Sequence, residues 1–104
     1  RAAQLAMLGE RLPARQALEC GMLHRVVEPT ALEETAAALA ARLAAMPTRG
    51  LGLIKRGLLH AQGATLDAQL DYEEALQREA GRTADYAEGV RAFVEKRRPT
   101  FTGR

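Results

Sequence analysis

The sequence predicts a mainly α chain, five to six helices with one short strand, and three observations predict it. Ala contributes 21 and Leu 15 of the 104 residues, against four Val and one Ile. Side chains that lose little rotamer freedom in a helix therefore dominate, and β-branched ones are scarce. Apolar residues recur at spacings of three and four, the period of one helix face. Thr, Gly and Pro punctuate these runs where helices should begin and end.

Leu5, Leu8 and Leu12 keep the helical spacing, with Gly9 as a break. Pro13 precedes a short helix from Ala14 to Cys20, which Gly21 closes in a left-handed conformation. His24 to Val27 holds the one pair of neighbouring β-branched residues and ends at Pro29, so it reads as the strand. A strand cannot pair with itself, and its partner is expected elsewhere. Thr30-x-x-Glu33 reads as a capping box, opening a helix whose stripe (Leu32, Ala36, Leu39, Ala40, Leu43) runs to Met46. Pro47 ends it, and Thr48 is expected to cap the next helix, with Leu51, Ile54 and Leu58 on one face and Gly63 at its exit. Thr65 is expected to cap a third, Leu66 to Ala80, with an acidic outer face. Asp85 with Glu88 reads as a further capping box, before a helix carrying Tyr86, Val90, Phe93 and Val94 along one side. Pro99 forbids its continuation, and Thr100 to Arg104 form a basic tail.

Several function classes are excluded by composition. There is no Ser, so a serine nucleophile is ruled out. Hydrophobic residues at 47% and charged ones at 27% fit neither a disordered segment nor a membrane span. No apolar run approaches the roughly 20 residues that cross a bilayer. A net charge of +2 is far from that of a dedicated nucleic-acid binder, though the tail from Arg91 carries five basic residues against Glu95. One cysteine cannot form an internal disulfide, which fits a reducing, cytoplasmic compartment. The Arg-rich start contains Glu10 and reads as a helix, not a transit peptide. A chain that begins with Arg is expected to be a piece of a longer one. Ala-rich stripes and four aromatic residues bury little area, so the helices should pack on a larger body or on copies of themselves.

Four groups of residues are candidates for chemistry. Gly50-Leu51-Gly52-Leu53-Ile54-Lys55 lacks the spacing of a dinucleotide fingerprint or a P-loop, and reads as small residues at a helix start. His24 and His60 lie 36 residues apart without metal-ligand neighbours, and Cys20 sits at the wrong helix end for an activated thiolate, so all three read as structural and no metal is expected. Asp67, Asp71, Glu73, Glu74 and Glu79 read as a solvated face, with Glu73, on the apolar side, expected to meet an arginine. Phe93 and Lys96, three apart on a helix, offer a stacking plane beside a cation, which suits a nucleotide.

The run Asp85-Tyr86-x-Glu88-Gly89-Val90-x-Ala92-Phe93-x-Glu95-Lys96-Arg97-x-Pro99-x-Phe101 resembles the C-terminal signature of the enoyl-CoA hydratase/isomerase (crotonase) superfamily. Leu8-Gly9, then Ala14-x-x-Ala17-x-x-x-Gly21-x-x-x-x-Val26-Val27, resembles that family's helix–turn–strand passage. A narrower stretch resembles the phenylacetate-degradation isomerase branch, which converts ring-1,2-epoxyphenylacetyl-CoA to oxepin-CoA. It comprises Pro47 to Lys55, then Gln69-Leu70-Asp71 through Leu76-Gln77-Arg78-x-Ala80-Gly81-Arg82-x-Ala84-Asp85-Tyr86.

The resemblance implies an α/β ClpP/crotonase-like spiral fold, of which residues 1–29 would be the end of the spiral core. Residues 30–104 would be its helical C-terminal trimerisation region, with trimers pairing into hexamers. It also implies that the oxyanion hole and the proton-moving acids lie outside this chain, so no catalytic residue is expected here. Lys96 is expected near the 3′-phosphate or adenine end of coenzyme A, and Phe93 beside it, with Arg97 and Arg98 as a basic rim. No separate cofactor is implied, since the substrate carries its own coenzyme A. The expected partners are an acyl-CoA thioester and further copies of the chain, with no nucleic acid and no membrane. A plain enoyl-CoA hydratase is the alternative within the family. A non-catalytic oligomerisation fragment completing a coenzyme A site is the alternative outside enzymes.

Overall fold

The computed structural model describes residues 2–104. Among them run six α-helices: α1 (Ala2–Leu8), α2 (Ala14–Glu19), α3 (Leu32–Ala44), α4 (Thr48–His60), α5 (Leu66–Ala80) and α6 (Ala84–Val94). One 3-10 turn, Pro29–Ala31, precedes α3. The chain divides into two compact units, the boundary falling within α3 between Ala36 and Ala37.

In the first unit, α2 ends as its glycine requires. Gly21 takes φ +75°, its N–H bonds Leu18 O at 2.9 Å, and the Met22 N–H bonds Ala17 O at 2.9 Å. This pair of bonds is the Schellman motif, which satisfies the last carbonyls of a helix. Residues 24–27 form no strand, contrary to expectation. A β ladder needs a second segment to exchange N–H and C=O bonds, and none of the described residues pairs with this one. The Thr30–Glu33 capping box is also absent as drawn. Pro29, its φ already set for a helical turn, begins the 3-10 turn one residue early, so Thr30 lies inside the turn.

In the second unit, α4 and α5 make the helix–helix packing. Leu53 and Gly57 of α4 are buried, as is Leu76 of α5. Gly57 lets the helices close up: a Cβ there would lie 3.3 Å from Leu76 Cδ1. The expected stripe of Leu51, Ile54 and Leu58 is therefore not the packed face; Ile54 and Leu58 stay exposed beside it. Thr48 is the first residue of α4 rather than its cap, which is Pro47 without a side-chain bond. Thr65 does cap α5, accepting the Ala68 N–H at 3.4 Å.

The N-cap of α6 is Thr83, which accepts the Tyr86 N–H at 3.0 Å. This displaces the expected Asp85–Glu88 box: with Thr83 in the capping position, Asp85 falls inside the first turn and its carboxylate is free to turn elsewhere. The core is thin, as the composition implies. Among the described residues its buried apolar side chains are Ala17, Leu53, Leu76 and Ala92, and no large one is sealed completely.

Candidate functional site

The C-terminal end of α6 brings the two predicted contact residues together. Phe93 lies in the last turn with 85% of its surface exposed. Lys96 follows three residues later, and its backbone takes φ 56°. Its N–H bonds Phe93 O at 3.2 Å and the Arg97 N–H bonds Ala92 O at 3.0 Å. This is the Schellman motif again, with lysine in the left-handed position. A side chain there meets the backbone sterically, at a cost of about 1–2 kcal/mol that glycine avoids. Such strain concentrates where a residue is kept for what it does.

The Arg97 guanidinium is turned onto the chain's own carboxylates. Its Nη1 and Nη2 donate to the two carboxylate oxygens of Glu88 at 2.6 and 3.0 Å, and its Nε donates to Glu95 Oε2 at 2.6 Å. Glu88 also accepts from the Thr100 N–H at 2.9 Å and from Arg91 Nη2 at 3.0 Å. These donors, Arg97 first and then the Thr100 amide, hold the Glu88 carboxyl down at about 2. Glu88 and then Glu95 in turn push the Arg97 guanidinium above its ordinary value. Arg97 is thus paired with its own neighbouring carboxylates, while 39% of its side chain stays exposed. Lys96 makes no ion pair among the described residues, which leaves its ammonium available to an anion.

Asp85 sits one turn earlier, 3% exposed. Its Oδ1 accepts from the Thr102 N–H at 2.7 Å and the Thr102 hydroxyl at 3.3 Å, and its Oδ2 from the Gly103 N–H at 2.8 Å. Its own N–H donates to Arg104 O at 3.0 Å. The tail is therefore strapped back along the start of α6. Sequence reasoning missed both acids as anchors. The usable signal was an acid and an arginine, Glu88 and Arg97, on either side of the end of α6, with Pro99 just beyond.

The remaining candidates are structural. Gly50 to Lys55 lie wholly within α4, so no loop exists to cradle a phosphate. His60 stacks on Tyr72 with ring centroids 4.2 Å apart, and its Nδ1 meets Gln69 Oε1 at 2.8 Å. The Gln69 amide nitrogen donates to Gly57 O and to Glu73 Oε1, so Glu73 meets a glutamine and not the expected arginine. It is Glu79 that pairs with arginines, Arg49 at 3.4 Å and Arg56 at 3.3 Å, while Glu74 pairs with Arg78. The Tyr72 hydroxyl, and after it Glu79, push the Arg56 guanidinium upward. His24 is exposed, and Cys20 is the half-buried cap at the end of α2. Among the described residues no three His, Cys, Asp or Glu gather as a metal site, and no helix is long and apolar enough to cross a membrane. An open apolar groove of about 380 Å³ lies between α4 and α5, lined by Leu53, Ile54, Leu58 and Leu76 among others.

Comparison with known proteins agrees with the C-terminal motif. A sequence profile described as enoyl-CoA hydratase/isomerase matches residues 1–104. The 1,2-epoxyphenylacetyl-CoA isomerase of Escherichia coli K12 is 55% identical over all 104 residues, which cover 40% of its length. The trans-2-decenoyl-[acyl-carrier-protein] isomerase of Streptococcus mutans is 41% identical over the same span, again 40% of its length. The crystal structure of enoyl-CoA hydratase from Mycobacterium tuberculosis H37Rv superposes with a TM-score of 0.89 at 31% identity. That match covers 99% of this chain and 41% of the other. The chain thus spans about two-fifths of these relatives.

Proposed function

The chain belongs to the enoyl-CoA hydratase/isomerase family, and from that premise we propose that it forms the C-terminal helical part of an acyl-CoA isomerase of phenylacetate degradation. The substrate would be ring-1,2-epoxyphenylacetyl-CoA and the product oxepin-CoA. The observation that carries this reading is the 55% identity to an isomerase of that specificity along the whole chain. In this reading Lys96 meets the phosphate or adenine end of coenzyme A, and Phe93 lines the same site. Its support is geometric: an exposed ring and a lysine with no ion pair among the described residues share one helix end, and the lysine is kept in a position where glycine would cost less. The catalytic acids and the oxyanion hole would come from sequence beyond these residues. Coenzyme A would arrive with the substrate, with no further cofactor.

The thin core and the exposed Ile54, Leu58, Phe93 and Val94 support assembly into a homotrimer, or a hexamer of two trimers. A single cysteine fits a cytoplasmic setting. The match to a solved hydratase favours enoyl-CoA hydratase as the second reading. Incubating the full protein with ring-1,2-epoxyphenylacetyl-CoA and with a 2-enoyl-CoA decides between them. Conversion of the epoxide supports the isomerase, whereas hydration of the enoyl thioester with the epoxide untouched overturns it.

A further inference from the structure

We propose that Glu88 is a positioning residue for the coenzyme A contact, holding Lys96 in its left-handed conformation by gripping Arg97. The inference rests on the reading that Lys96 touches coenzyme A. Lys96 is the middle residue of a turn clamped on both sides. Arg97 reaches back nine residues to fork onto Glu88 and also bonds Glu95, the residue before Lys96. One guanidinium therefore ties together the two neighbours of Lys96 in sequence and the body of α6. Glu88 is well placed for this, since only 13% of its side chain is exposed and the Thr100 N–H completes its bonding. Charge-assisted two-pronged bonds of this kind fix geometry as well as energy. An unclamped lysine visits φ > 0 only rarely, and a ligand that needs a minor conformer binds more weakly by the fraction populated.

The test is a double-mutant cycle on the full protein, read by calorimetric titration with free coenzyme A. Glu88→Gln keeps the shape and removes the charge; it should weaken binding about fivefold while the far-ultraviolet circular dichroism is retained. In a Lys96→Ala background the same change should cost nothing more, because the residue being positioned is gone. A purely structural Glu88 would weaken binding equally in both backgrounds, and that result overturns the proposal. So does unchanged affinity of Glu88→Gln with Lys96 present. If Lys96→Ala alone leaves affinity unaltered, the coenzyme A reading of Lys96 itself has failed. Should Glu88→Gln not fold, Arg97→Lys keeps the cation, loses the fork and carries the same expectation.

Discussion

Gly21 and Lys96 occupy the same left-handed position in two copies of one helix-ending motif, with φ +75° and 56°. Each follows its helix cap, and each motif closes with the same pair of backbone bonds. Glycine is the inexpensive choice at that position. Lys96→Gly should therefore stabilise the protein by about 1 kcal/mol, through relief of the contact between Cβ and backbone. The same change should weaken coenzyme A binding, because the ammonium is lost. Urea denaturation and a coenzyme A titration would show the two effects moving in opposite directions. A lysine that serves only the fold would give no loss of binding.

Protonation of Glu88 gives a pH dependence of known sign. Its folded-state value is lowered from 4.5 to about 2, so its contribution to stability is fully present above the unfolded value. That contribution is lost as pH falls from about 4.5 towards 2. Thermal melting of wild type and Glu88→Gln at pH 7 and at pH 2 checks this. The gap between the two proteins should be open at the higher pH and nearly closed at the lower.

Asp85 anchors the tail through three donors, and Asp85→Ala would leave all three without their acceptor. A buried donor left unsatisfied costs about 1–3 kcal/mol, and the tail will swing out to water to reduce that cost. Amide hydrogen exchange should report the release directly, with protection lost at Thr102 and Gly103 while α5 is unaffected.

Leu76 fills the contact against Gly57, so Leu76→Ala should destabilise by about 2–3 kcal/mol. The open groove beside it places the expectation at the low end of the range for such truncations. Leu58→Ala, on the exposed rim of the same groove, should change monomer stability by less than about 0.5 kcal/mol. Denaturant midpoints for the two variants make the comparison, and similar values would contradict the packing described.

Local signals in the sequence were sufficient wherever a residue acts on its own turn. Leu66–Ala80 was legible end to end because Thr65 caps it and no other residue competes. Gly21 was legible because a glycine after an apolar run has few other uses. Long-range partners were not legible. Asp85 looked like half of a capping box because its partners lie 17 and 18 residues away in the tail. The buried face of α4 was misassigned because a glycine carries no apolar side chain for a periodicity argument to count, yet Gly57 marks where α5 approaches. His24 to Val27 has strand chemistry but no pairing edge among the described residues. The placing of Phe93 and Lys96 at one helix end was legible from spacing. The strain at Lys96 was not, since backbone sign is invisible in a list of residues.

The Gly57–Leu76 contact also says how this helix crossing takes up change. A Cβ at position 57 would lie 3.3 Å from Leu76 Cδ1, tighter than ordinary van der Waals contact. The end of the leucine side chain must therefore give by a few tenths of an ångström, and the open groove that both residues line is where it can go. What position 57 can carry thus depends on how freely the side chain at position 76 can turn.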